Sequence, residues 1–176
     1  MRRLGPLRAA RTGSGRGDSG AALVEFALVL PVFLMLLLGM MTGGLAYSRK
    51  LSVAQAAREG ARFGATLPIT ASTPVSAWLP RVGALTISSS DGELESDKPG
   101  RYVCIAYVPA SGSAEKWEVT GSATAVQSSG TCLADDGRPG ETRVQVVAQR
   151  SSRLEALVFS RDLTVGSHAV ARFEAP

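Results

Sequence analysis

The sequence is poor in the residues that carry most enzyme chemistry. It holds one histidine, His168, and two cysteines, Cys104 and Cys132, among 176 residues. No HxxxH or HExxH pattern surrounds His168, and the cysteines are too far apart for a CxxC redox pair. Zinc-dependent and thiol–disulfide catalysis are therefore left without residues. There is no Gly-rich phosphate loop and no GxSxG elbow, which removes the common routes to nucleotide binding and serine hydrolysis. Charge is also missing over a long stretch: Phe26–Ser48 is 23 residues without Asp, Glu, Lys or Arg. No enzyme activity, metal or cofactor is expected.

The net charge of +4 invites a nucleic-acid reading, and its distribution removes it. Residues 1–20 hold five arginines (Arg2, Arg3, Arg8, Arg11 and Arg16) against Asp18 alone. The rest of the chain balances 14 basic residues with 14 acidic ones. All the excess sits beside the uncharged run, so no nucleic-acid partner is expected. Residues 1–19, rich in Arg, Gly and Ser, cannot bury enough apolar surface to order themselves and read as a disordered leader.

The uncharged run needs a bilayer. Roughly 20 residues at about 1.5 Å each cross a hydrocarbon core, and this run is apolar on every face. A basic flank marks the cytoplasmic side of such a span. That places the N-terminus in the cytoplasm and the C-terminal domain outside, with Arg49 and Lys50 as the opposing charges. A secretory signal is the rival, with Gly44-Leu45-Ala46 as a small-x-small cleavage site and a product beginning near Tyr47.

Within the run, Pro31 removes a helical hydrogen bond and is expected to kink the axis. Gly39, Gly43 and Gly44 form a small-residue patch with GxxxG spacing. Beyond Tyr47 the pattern becomes amphipathic, with Leu51, Ala54, Ala57, Ala61 and Ala65 on one stripe. Leu67-Pro68 ends the helix, so one element is expected from about residue 21 to residue 66. Residues 68–80 (Pro68, Pro74, Pro80) read as a connector with one short turn at Ser76–Leu79.

Alternation then takes over. Strands are expected at Val82–Ser88, Arg101–Val108, Lys116–Thr120, Thr142–Gln149 and Leu163–Phe173, with Ser152–Phe159 a short helix or apolar loop. Asp135-Asp136-Gly137 reads as a turn. The fold class is α+β: a long N-terminal transmembrane and amphipathic helix, then a small antiparallel sheet domain outside the membrane. The domains expected are a leader over residues 1–20, the helix over 21–67 and a β-rich domain over 68–176.

Two cysteines on the outer side are the count that a single Cys104–Cys132 disulfide would give. It would close a loop of about 30 residues, worth roughly 3 kcal/mol. Two separate buried thiols are the other reading. Asp91, Glu93, Glu95 and Asp97 alternate and could offer oxygens to calcium, but their spacing departs from the EF-hand loop. They read as a solvated turn.

A basic leader ending at Gly20, a short apolar step, Glu25 at the fifth place, then Phe26 and a long apolar helix resembles a class III prepilin signal. The string Gly20-Ala21-Ala22-Leu23-Val24-Glu25-Phe26-Ala27-Leu28-Val29-Leu30-Pro31 is similar to TadE-like pseudopilins of Tad (Flp-type) pilus systems. Ala56-Ala57-Arg58-Glu59-Gly60-Ala61-Arg62 and the closing Thr164–Phe173 stretch resemble the same family. The resemblance implies cleavage by a prepilin peptidase between Gly20 and Ala21. It also implies packing with other pilin-like subunits at an inner-membrane assembly platform. There Glu25 would pair with a neighbour's Ala21 amine and so set register. A membrane-anchored binding domain with no pilus role is the alternative.

Overall fold

The computed structural model describes residues 16–134, 140–156 and 159–173. Its elements are α1 (Arg16–Thr66), α2 (Val75–Ser88), β1 (Tyr102–Val108), β2 (Glu115–Thr120), β3 (Val126–Ser129), β4 (Arg143–Ala156) and β5 (Phe159–Arg172). The class is α+β, with a long apolar N-terminal helix and an antiparallel sheet, as the sequence indicates. The chain divides into two compact units, Met1–Met40 and Met41–Pro176. In the first, every side chain from Gly20 to Met40 is exposed. These are mostly large apolar groups, among them Leu23, Phe26, Leu28 and Phe33.

In the second unit, α1 has a buried stripe: Val53, Ala56, Ala57, Gly60, Ala61 and Gly64. Steps of three and four residues keep these on one face. The stripe is rotated from the expected one, because Leu51 is exposed and two glycines do part of the packing. Glycine adds nothing to a hydrophobic periodicity, yet it lets neighbouring elements approach most closely.

The expected strand at Val82–Ser88 is instead the C-terminal half of α2, and the connector ends at Pro74 rather than Pro80. Trp78, Leu79, Val82, Gly83 and Thr86 are buried at helical spacing. Pro80 lies inside this helix and has no N–H for the Ser76 carbonyl one turn back. Gln127 Nε2 of β3 donates to that carbonyl at 2.8 Å. A long-range side chain thus repairs the break that the sequence pattern announces.

The sheet order is β3-β2-β1-β4-β5, and each neighbouring pair is antiparallel. Ile105 on β1 stands between Trp117 of β2 and Val146 of β4. Its face carries Val103, Ile105, Val119, Val144, Val146 and Ala148 into one core with Val53, Ala57, Trp78, Leu79 and Val82 of the helices. Burying each large side chain stabilises by roughly 1.5–3 kcal/mol. Trp78, Tyr107 and Phe173 close one end, with ring centroids 5.6–5.9 Å apart.

Two further differences concern the strands. β3 was not visible in the sequence, since its four residues are all exposed and lack alternation. Within the expected helix or loop at Ser152–Phe159, β4 instead runs through to Ala156 and β5 starts at Phe159, while residues 157 and 158 lie outside the described residues. Backbone pairing overrides the local apolar spacing, with 14 residue pairs from Arg143↔Arg172 to Ala156↔Phe159. The expected turn at Asp135-Asp136-Gly137 and the leader before Arg16 lie outside the described residues.

Candidate functional site

The N-terminal segment is defined by what its side chains leave open. α1 begins at Arg16, so the Gly20–Ala21 bond lies inside a helix. Glu25 stands four residues past Ala21, one turn on along the same face. Glu25 and Phe26 are both exposed, and among the described residues nothing pairs with the Glu25 carboxylate. Pro31 lies within α1 and has no N–H to give the Ala27 carbonyl.

The glycines fall into two groups. A methyl group placed at Gly20, Gly39, Gly43 or Gly44 would meet nothing within 4 Å. At Gly64 it would lie 3.0 Å from both Trp78 and Val144, and at Gly83 it would press into the Trp117 ring. At Gly60 it would overlap the Thr86 hydroxyl outright. Packing within the chain therefore accounts for Gly60, Gly64 and Gly83 but not for Gly20 or the 39–44 patch. The Gly60–Gly64 spacing, in plain view in the amphipathic stretch, was the sequence signal for the close contact with α2 and the sheet.

In the sheet domain Cys104 and Cys132 are bonded, with Cα atoms 5.8 Å apart. Cys104 is buried on β1, on the side away from the helices. The Cys132 and Leu133 amides each donate to Oε1 of the buried Gln145 at 3.1 Å. The disulfide and this shared acceptor hold the 132–133 segment across the outer face of the sheet.

The four alternating carboxylates do not converge. Glu93 pairs with the buried Arg150 of β4. Asp97 pairs with Lys98 at 3.1 Å, and Asp91 accepts from Ser52 at 3.4 Å. The Lys98 hydrogen bond holds the Asp97 carboxyl below its ordinary value. Among the described residues no group of three or more His, Cys, Asp or Glu is placed to hold a metal ion. His168 stands exposed on β5, opposite Val147. Burial, then the charge of Glu118, raises the Tyr102 phenol above its ordinary value.

An open cleft of about 750 Å³ lies at the end of the second unit, lined by Ala65–Ile69, Tyr107, Glu141, Thr142, Arg172 and Phe173. Its carboxylate, Glu141, is tied to Arg172 at 3.1 Å. Among the described residues the cleft brings together no pair of free acid and base groups for proton transfer.

One helix near the N-terminus, within Gly20–Thr66, is long and apolar enough to cross a membrane, and the apolar window is wholly unburied. With the α+β unit that follows it, this describes a single-pass, membrane-anchored protein. Residues 20–62 match the family model described as TadE-like protein. The similarity runs from Gly20 through the apolar run to just past the Gly60 contact. No curated protein and no solved structure matches the chain.

Proposed function

We propose that this chain is a non-enzymatic, pilin-like subunit of a Tad-type pilus assembly or secretion system. A prepilin peptidase cuts it between Gly20 and Ala21 and releases the 1–20 leader on the cytoplasmic side. The new Ala21 amine and Glu25 then engage neighbouring pilin-like helices at the inner-membrane platform. Residues 68–176 form its extracytoplasmic domain. Its disulfide suits an oxidising compartment.

The observation that carries this reading is the TadE-like match over an apolar helix left bare by its own chain. Among the described residues Gly20 has open space around it and nothing pairs with Glu25, which supports a demand on both from outside the chain. A bare carboxylate in lipid is costly, and pairing with an amine on a staggered neighbour removes the cost while fixing register. Pro31 adds a local bend to the same face-packing surface.

Complementation tests the role. In cells lacking the chain but holding the rest of a Tad system, the wild-type protein is expected to restore surface pili. Glu25→Gln is expected to be made, inserted and cut, yet to restore few or none. Full restoration by Glu25→Gln would remove the pairing role.

A further inference from the structure

We infer that the outer end of the β4–β5 hairpin docks into the interfacial layer of the bilayer that α1 spans, touching phospholipid headgroups and upper acyl chains. The inference rests on the reading of α1 as a membrane span.

Two contacts set the direction of α1 against the sheet. Arg49 Nη1 donates to Ser152 Oγ at 2.9 Å, at one end of the paired strands. Gly64 meets Val144 eight residues earlier on β4. Eight strand residues cover about 26 Å and fifteen helical residues about 22 Å, so the two elements lie side by side. α1 therefore runs against β4 and along β5.

Beyond the Ser152↔Leu163 pair, four more pairs follow: Arg153↔Asp162, Leu154↔Arg161, Glu155↔Ser160 and Ala156↔Phe159. They extend the hairpin by about 13 Å, the rise of some nine helical residues. The only stretch of α1 in that direction is the uncharged Met41–Ser48. Burial along the helix agrees. Thr42, Ala46 and Arg49 are half-buried and continue the stripe that starts at Val53, while their neighbours are exposed. The folded unit thus reaches past Arg49 and Lys50 and flanks the last turns of the apolar run.

The residues at that level suit an interface. A groove of about 400 Å³ is lined by Ala46, Tyr47, Lys50 and Leu163–Gly166. Tyr47 and Leu163 are exposed there, and the Lys50 ammonium is available to a lipid phosphate. Amphipathic aromatics and lysines collect at this depth because each has one apolar and one hydrated end. Along the hairpin, Arg153, Asp162 and Arg161 occupy the first two extra pairs, at headgroup level. A free edge strand laid against lipid headgroups is also kept from pairing with other chains.

Tryptophan quenching tests this, since the native Trp78 and Trp117 are buried and give a fixed background. The full chain is reconstituted into vesicles of dibrominated phosphatidylcholine as Ser160→Trp, Leu163→Trp, Val170→Trp or Leu36→Trp. The expected result is strong quenching and a blue shift at 36, clear quenching at 160 and 163, and none at 170. Quenching at 36 with 160 and 163 as unquenched as 170 overturns the inference and leaves the span standing. No quenching at 36 overturns the span itself, and the inference with it. Two hairpin positions are used so that one poorly folded variant does not decide the outcome.

Discussion

Gly60 of α1 lies directly beneath the hydroxyl of Thr86 on α2, so closely that a single methyl group at position 60 would occupy the hydroxyl's place. Thr86 cannot swing away freely: it is fully buried, and its Oγ1 donates to the Val82 carbonyl at 2.8 Å. The helix that leaves the apolar run is thereby seated against the domain at one defined depth.

Replacing Gly60 by alanine should therefore cost about 1–3 kcal/mol through overpacking, despite alanine's better helix propensity. Gly39→Ala and Gly43→Ala, which have open space, should leave the stability of the domain unchanged. Urea unfolding of the detergent-solubilised protein, followed by Trp78 and Trp117 emission, checks the contrast.

The Gln127–Ser76 bond makes a sharper test because Pro80 explains why it is needed. Gln127→Ala should cost about 0.5–1 kcal/mol, since the exposed Ser76 carbonyl trades its donor for water. In a Pro80→Ala background the helix regains its own N–H, and the same substitution should cost much less. Equal costs in the two backgrounds would show that Gln127 acts by some other contact. A double-mutant cycle in urea measures the coupling.

The Cys104–Cys132 bond closes a loop over 28 positions. Cys104→Ser with Cys132→Ser should lower stability by about 3 kcal/mol through the freed loop. The loss should appear in wild type on adding reductant. The outer sheet face at Gln145 should then gain hydrogen exchange ahead of the helix-covered face.

Two groups shift in ways that bear on the pH response of the domain. Tyr102 has its phenol raised by burial and by Glu118, so the folded state holds its proton more tightly than the unfolded chain. Its contribution is full below the ordinary tyrosine value of about 10 and is lost as pH rises through the folded value. Asp97 behaves oppositely: lowered by Lys98, it contributes above its ordinary value, and the contribution fades as pH falls. Ultraviolet titration of the phenols should place Tyr102 above the usual range. Glu118→Gln should bring it only part of the way back, because burial is the larger cause.

The apolar run was legible because it is apolar on every face, and the amphipathic continuation and the strands around Ile105 and Val146 because each buries one face through its own local period. α2 was hidden by Pro80, whose cost is met by Gln127 from 47 positions away, beyond the reach of any local window. β3 has no buried face to leave a pattern, and the far half of the β4–β5 hairpin is fixed by cross-strand pairing rather than by its own composition. The processing and register residues Gly20 and Glu25 were legible for the opposite reason. Among the described residues they meet no packing partner, so the roles proposed for them rest on their placement in the sequence.

If the chain is cut as a prepilin, the N-terminus of the protein taken from its own membranes will show it. Edman sequencing and intact mass should give a chain beginning at Ala21, and a Gly20→Leu variant should keep residues 1–20. A start at Met1 or Arg2 in cells with an active prepilin peptidase would contradict the account and leave an anchored domain. A start near Tyr47 would make the apolar run a discarded secretion signal.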